Sequence, residues 1–316
     1  MTFSYDPVIC SHIIAAVDRL LSSLRRNSPF MATKLAKWIQ SLTEGRQPEQ
    51  YFMHPQTFPT ILFPWWLEKS TGCEHDEPFL SDLTYSTVSG YYFIRMIDNA
   101  MDEGKRKEIS LLPLLGFFHS EFQSIYFRYF PDRHPFWNHF KHLWTVSAEA
   151  SLRDFESADM DRTFFEQVAA KKVIAGRIPM VAFCMRNGIE EIPHGWNRLY
   201  DLISYFSQMS NDLSDCFRDL QAGRTTYFLS EGERRRIKSQ EYTETVDVWI
   251  FREGFSWAVR ELQGWMDEMK QIACSFNQSS LLEYLGMREE MLQQKFSNGL
   301  PHLRTIHQIL SQIHDK

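Results

Sequence analysis

Asp98 and Asp102 stand four residues apart, and Asn211, Asp215 and Asp219 repeat the same step twice. On a helix that step stacks side chains on one face, one turn above the next. Carboxylates so placed repel by about 0.2–0.5 kcal/mol per pair, which is why helices usually separate them or alternate them with Lys and Arg. A divalent cation shared along the face reverses the sign. Mg²⁺ prefers oxygen ligands, keeps several waters, and takes one or two carboxylates together with substrate phosphates. Two helices with two or three oxygen ligands each suit the binding of a metal-complexed phosphate.

The first face follows an apolar stretch, Tyr91, Tyr92, Phe93, Ile94, Met96 and Ile97, so Asp98 is expected to be buried. A buried carboxylate without a partner is costly. Arg95 could neutralise it as a structural ion pair, and that reading competes with a metal at either cluster taken alone. The presence of two such clusters in one chain favours the metal.

Tyr91, Arg95, Asp98 and Asp102 form the pattern Tyr-x-x-x-Arg-x-x-Asp-x-x-x-Asp, which resembles the first acidic motif of squalene and phytoene synthases. Gln208, Asn211, Asp215, Asp219 and the pair Gly223-Arg224 fall in the register of that family's second motif. Asn211, Asp212, Asp215 and Asp219 are also similar to the Asn-Asp-x-x-(Ser/Thr/Asp)-x-x-x-(Glu/Asp) signature of terpene cyclases. Both groups are class I isoprenoid synthases. The resemblance implies an all-α, single-domain helical bundle around a central apolar cavity. It also implies Asp98, Asp102, Asn211, Asp215 and Asp219 as catalytic metal ligands for three Mg²⁺ ions. Arg95, Lys172, Arg177, Arg218, Arg224 and Tyr227 are then the contacts for a substrate diphosphate, Arg224 foremost through the Gly-Arg match.

A third segment, Ala169 to Phe183, carries Ile174-Ala175-Gly176 and resembles the glycine-interrupted helix between the two motifs of squalene and phytoene synthases. It departs on both sides. Ala170 and Val173 stand where those head-to-head enzymes carry tyrosines, and Arg177-Ile178-Pro179 follows the glycine. Pro179 should kink the helix, an arrangement similar to the broken helix of terpene cyclases.

Such an enzyme lowers the barrier to ionisation of an allylic diphosphate by stabilising the leaving anion with metal ions and basic side chains. Guanidinium groups suit that anion because they grip phosphate oxygens in pairs. The carbocation left behind needs a dry cavity walled by aromatic faces. Tyr91, Tyr92, Phe183, Tyr205, Phe206 and Tyr227 lie close to the motifs in sequence, although most aromatics at helical spacing belong to a core.

Composition agrees with this class. The chain has 316 residues, 43% hydrophobic and 15% aromatic, with a net charge of −6. That balance argues against a nucleic-acid partner, which demands clustered Lys and Arg. The one basic run, Arg234 to Arg236, is flanked by Glu231 and Glu233 and reads as a solvated helix face or as a cap on a diphosphate pocket. Five scattered cysteines, an odd number without metal spacing, suggest a reducing cytoplasm. The N-terminus lacks a basic start and does not read as a signal peptide. The apolar run Phe58–Leu67 is too short to span a bilayer and holds Pro59 and Pro64, so no transmembrane segment is expected. Peripheral membrane contact and a homodimer stay open.

Apolar residues recur at helical spacing through 9–24, 32–42, 80–101, 111–130, 136–155, 164–185, 196–220, 245–276 and 281–313. Residues up to about 69 read as a looser, proline-containing part. Other metal chemistry fits poorly: the one Glu-x-x-His, Glu191 to His194, contains Pro193, and no Gly-rich phosphate loop is present. The sequence therefore predicts a Mg²⁺-dependent terpene synthase acting on a C15 or C20 prenyl diphosphate by cyclisation or rearrangement. A head-to-head prenyltransferase and a non-catalytic relative that binds prenyl diphosphates are the alternatives.

Overall fold

The computed structural model describes residues 5–103, 109–238 and 245–295, and among them only helices and their connections occur. These residues fall into two compact units. One comprises residues 5–143 and 175–192, the other residues 144–174 and 193–295.

The first unit opens with α1 (Pro7–Asn27), started by Pro7 and by the Asp6 side chain, which accepts from the Val8 amide at 2.9 Å. By length and composition alone α1 could cross a membrane. Its inward face, Ile13, Val17, Leu20 and Leu24, is instead buried, and the helix packs on α2 (Pro29–Leu42) and on α4 (Glu77–Glu103). Arg19, on the same helix, pairs with the buried Asp82 at 3.0 Å. Burying such aliphatic side chains stabilises the unit by about 1.5–3 kcal/mol each. Helix α5 (Leu114–Ser124) lies so close to α4 that a Cβ at Gly90 would meet the Phe122 ring at 2.9 Å. Trp38, Tyr92 and Phe118, from α2, α4 and α5, meet at ring distances of 5.7–6.3 Å.

The N-terminal stretch also holds α3 (Leu62–Thr71), which the sequence reading passes over. Leu62 through Glu68 are all buried, and Pro64 sits in the first turn, where its missing N–H has no intrahelical acceptor to lose. The apolar run is a core helix.

In the second unit α9 (His194–Gln221) packs chiefly on α11 (Phe255–Ser275) and on α7 (Arg162–Lys172). Phe165 of α7 stacks on Tyr227 at 4.7 Å and on Trp265 of α11 at 5.8 Å. Trp196 lies flat on Phe276 at 4.5 Å. Tyr227 opens α10 (Tyr227–Lys238), the helix that carries the basic run expected as a solvated helix face. That run is neutralised locally. Arg234 reaches Asp159 at 2.8 Å, Arg235 reaches Glu231 at 2.7 Å and Arg236 reaches Glu233 at 2.8 Å. A π-helical turn, Ile250–Gly254, leads into α11. A last helix covers residues 279–295, and the rest of the helix expected to 313 lies outside the described residues.

Two expected helices are interrupted. The stretch 111–130 divides into α5 and a 3₁₀ turn, Tyr126–Arg128. The stretch 164–185 ends α7 at Lys172, passes through a 3₁₀ turn, Ile174–Arg177, and resumes as α8 (Ile178–Arg186). Pro179 does not make this break. It occupies the second position of α8, where proline is accommodated, and the chain has left α-geometry several residues earlier. Between α5 and α7, α6 (Phe136–Glu156) carries the boundary between the units.

Candidate functional site

The first acidic face lies on the C-terminal half of α4. Arg95 Nη1 donates to Asp98 Oδ2 at 3.1 Å, and the two side chains are 42% and 38% exposed. The burial expected of Asp98 is therefore not found. Tyr92 and Met96 are the side chains here that enter the core, while Phe93, Ile94 and Ile97 stay half-buried. An exposed i,i+3 pair of this kind contributes about 0–1 kcal/mol, so Asp98 is open to other partners. Asp102 belongs to the last turn of α4 by its backbone, and its side chain lies outside the described residues.

Tyr51, from the 3₁₀ turn Pro48–Tyr51, joins this face. Its ring meets that of Tyr91 edge-on at 5.7 Å. Burial raises both phenols, against a smaller opposing pull from Arg95, so both remain neutral donors. No spacing rule in the sequence pointed to Tyr51.

The second face belongs to α9. Asp215 and Asp219 lie along it, with Arg218 Nη2 at 2.7 Å from Asp215 Oδ2 and Arg218 Nε at 3.9 Å from Asp219 Oδ1. Asn211, expected as the third ligand, is exposed at the edge of the face. Its neighbour Asp212 turns inward and is buried, accepting from Gln208 Nε2 at 2.9 Å. Burial pushes the Asp212 carboxyl up to about 7, opposed by the Gln208 hydrogen bond and by Lys172 and reinforced by Asp154 and Asp219.

The end of α9 explains the Gly-Arg pair. Gly223 has φ +65°, the left-handed conformation that glycine adopts without a Cβ penalty. The Gly223 amide donates to the Leu220 carbonyl at 3.2 Å and the Arg224 amide to the Asp219 carbonyl at 2.9 Å. This is the reversed-turn cap in which the chain doubles back over its last helical turn. It brings Arg224 Nη1 to 3.6 Å from Asp219 Oδ1.

Lys172 closes α7 and stands in the same unit. Its Nζ donates to Asp154 Oδ2 of α6 at 2.6 Å. Its carbonyl accepts from Ser147 Oγ, also of α6, at 2.5 Å, and the next carbonyl, of Val173, accepts from Tyr200 OH of α9 at 2.6 Å. Asp154 is a site neighbour that the sequence offered no way to find, since its relation to Lys172 and Asp212 exists only in the fold. Tyr227 stacks on Phe165 and meets Trp257 edge-on. Arg177 is the half-buried cap of α8, in the first unit.

The donors of both faces are oxygen atoms on acids and an amide, the set that suits Mg²⁺ rather than a softer metal. Among the described residues no three acids, histidines or cysteines converge to hold an ion by themselves. Mg²⁺ sites that use one or two carboxylates and complete their shell with phosphate oxygens have the same character, so the residues fit the ion.

No protein-family model and no curated protein matches the sequence. Among solved structures, the chain is similar to the geranylgeranyl pyrophosphate synthetase from the archaeon Geoglobus acetivorans. The TM-score is 0.63 at 12% identity, over 91% of this chain and 99% of that one. At that identity the likeness speaks for architecture alone, and on that ground the chain has the all-helical isoprenoid synthase fold.

Proposed function

We propose that this chain is a Mg²⁺-dependent isoprenoid synthase that ionises an allylic prenyl diphosphate, releases diphosphate, and lets the carbocation cyclise or rearrange. The observation that carries this reading is the end of α9, where Asp215 and Asp219 share a face with Arg218 and Arg224, within an isoprenoid synthase fold.

In this reading Asp98 and Asp102 on α4, and Asn211, Asp215 and Asp219 on α9, hold Mg²⁺. When bound, the ions supply charge that stabilises the departing diphosphate. The chain's own groups do the rest. Arg218 and Arg224 neutralise the carboxylates of the resting protein and turn to phosphate oxygens when an anion arrives, which suits their paired donors. Lys172 adds an ammonium, and Arg95 serves the first face in the same way. Tyr227, with Phe165, Tyr205 and Trp265, offers ring faces of the kind that stabilise a cation.

A second reading has its own support. The similar solved structure is a synthetase of a prenyl diphosphate, which favours prenyl transfer, in the head-to-head or another mode. Incubation with a mixture of labelled and unlabelled C15 or C20 diphosphate, with and without isopentenyl diphosphate as acceptor, separates the two. Cyclisation gives products of unchanged carbon number with no cross-labelled species, whereas transfer gives enlarged products, doubled and carrying both labels when coupling is head-to-head.

A further inference from the structure

Ser147 and Asp154 stand two turns apart on one face of α6, and both hold the same lysine. Ser147, itself buried, donates to the Lys172 carbonyl at 2.5 Å, while Asp154 accepts from the Lys172 ammonium at 2.6 Å. Tyr200 of α9 fixes the next carbonyl at 2.6 Å. The last turn of a helix leaves its carbonyls without intrahelical partners, and here side chains from two neighbouring helices take them. The Lys172 and Asp154 side chains are only 21% and 25% exposed. The ammonium acts electrostatically on Asp212, the buried acid between Gln208 and Asp219 on α9.

Lysine is a flexible cation with four rotatable bonds, and fixing it before an anion arrives removes a cost that binding would otherwise meet. We propose that Asp154 is a positioning residue, which with Ser147 holds Lys172 in place as a diphosphate contact of the α9 face. The proposal rests on the isoprenoid synthase reading for the anion, but assigns Asp154 a part that the acidic motifs do not contain. Asp154 acts through Lys172 and touches no reacting atom.

The alternative to positioning makes an opposite demand. If Asp154 merely adds negative charge near the anion, removing that charge tightens anion binding. If it positions Lys172, removing it weakens binding. The test is the affinity of the full chain for inorganic pyrophosphate with Mg²⁺, read by calorimetry, in Asp154→Asn, Asp154→Glu, Lys172→Met and the double variant Asp154→Asn/Lys172→Met. Far-UV circular dichroism and thermal unfolding show which variants are folded. The expected result is about tenfold weaker binding in Asp154→Asn, of the order that misplacing a contact group produces. Asp154→Glu should restore most of the loss, and Asp154→Asn should make no further difference once Lys172 is Met. Unchanged or tighter binding in Asp154→Asn would overturn the positioning role, as would an equal loss in the Lys172→Met background. A wild-type protein indifferent to Mg²⁺ and pyrophosphate would overturn the enzyme reading itself, an outcome distinct from these. Should Asp154→Asn fail to fold, Ser147→Ala takes its place, with a smaller loss that again vanishes in Lys172→Met.

Discussion

The two acidic segments share one sequence rule and meet different surroundings. On α4, Asp98 is half-exposed, held by Arg95 and electrostatically coupled to Tyr51 of the Tyr51–Tyr91 ring pair. On α9, Asp212 and Asp219 are buried, and Arg218, Arg224 and Lys172 gather round them. The difference shows that a four-residue step sets which side chains share a face, while the packing of that face sets what each carboxylate costs. An acid that water still reaches can lose its arginine cheaply. One that is buried needs its cations, or must hold a proton.

The largest effect should be common to both regions. Asp98→Ala and Asp215→Ala are each expected to lower turnover by about 10²–10³, the scale for losing one preorganised electrostatic group, with the fold intact by circular dichroism. A loss at one face only would break the parallel and assign the chemistry to a single segment.

Next in size is a pH effect that only the α9 region should show. Asp212 has a folded pKa near 7, above its ordinary 3.8. Between those values the folded protein holds the extra proton, so stability from this group falls as pH rises through the window and levels off above it. Lys172, Asp154, Asp219 and Gln208 already act on the carboxyl within that value. Asp212→Asn should therefore leave stability near pH 4 almost unchanged and raise it at pH 8, by up to about 4 kcal/mol. Urea unfolding at the two pH values measures it. An equal change at both would mean the carboxyl is not held protonated.

Gly223→Ala is expected to cost about 1 kcal/mol. Its Cβ would meet nothing within 4 Å, so the cost is conformational alone. Turnover should fall as well, because the cap carries Arg224. Smallest of all, Arg95→Gln should change stability by no more than about 1 kcal/mol, since an exposed pair contributes little. A larger loss would mean that the pull of Arg95 on Tyr51 and Tyr91 also contributes to stability.

Much of the architecture was legible because helical period and cap chemistry are local. The capping turn after Gln221 could be read from Gly223 alone, and Gly-Arg proved to be one structural device rather than two residues. The break after Lys172 was expected at Pro179 and came earlier. A proline at a second helical position disturbs nothing, whereas the preceding carbonyls are claimed by Ser147 and Tyr200 from other helices. Asp154 and Tyr51 left no trace in the sequence for the same reason, since each acts only through partners distant in the chain. For Tyr227, closeness to Arg224 in sequence gave no sign of the ring contact with Phe165.

The central claim is that this chain ionises an allylic diphosphate. Purified protein incubated with C10, C15 and C20 allylic diphosphates, with and without Mg²⁺, tests it most directly when released diphosphate is measured and the extract is separated by gas chromatography. The account expects Mg²⁺-dependent release from the C15 or C20 substrate, with a hydrocarbon or alcohol of the same carbon number. No release above the protein-free control from any of the three, with folded protein and Mg²⁺ present, would contradict it.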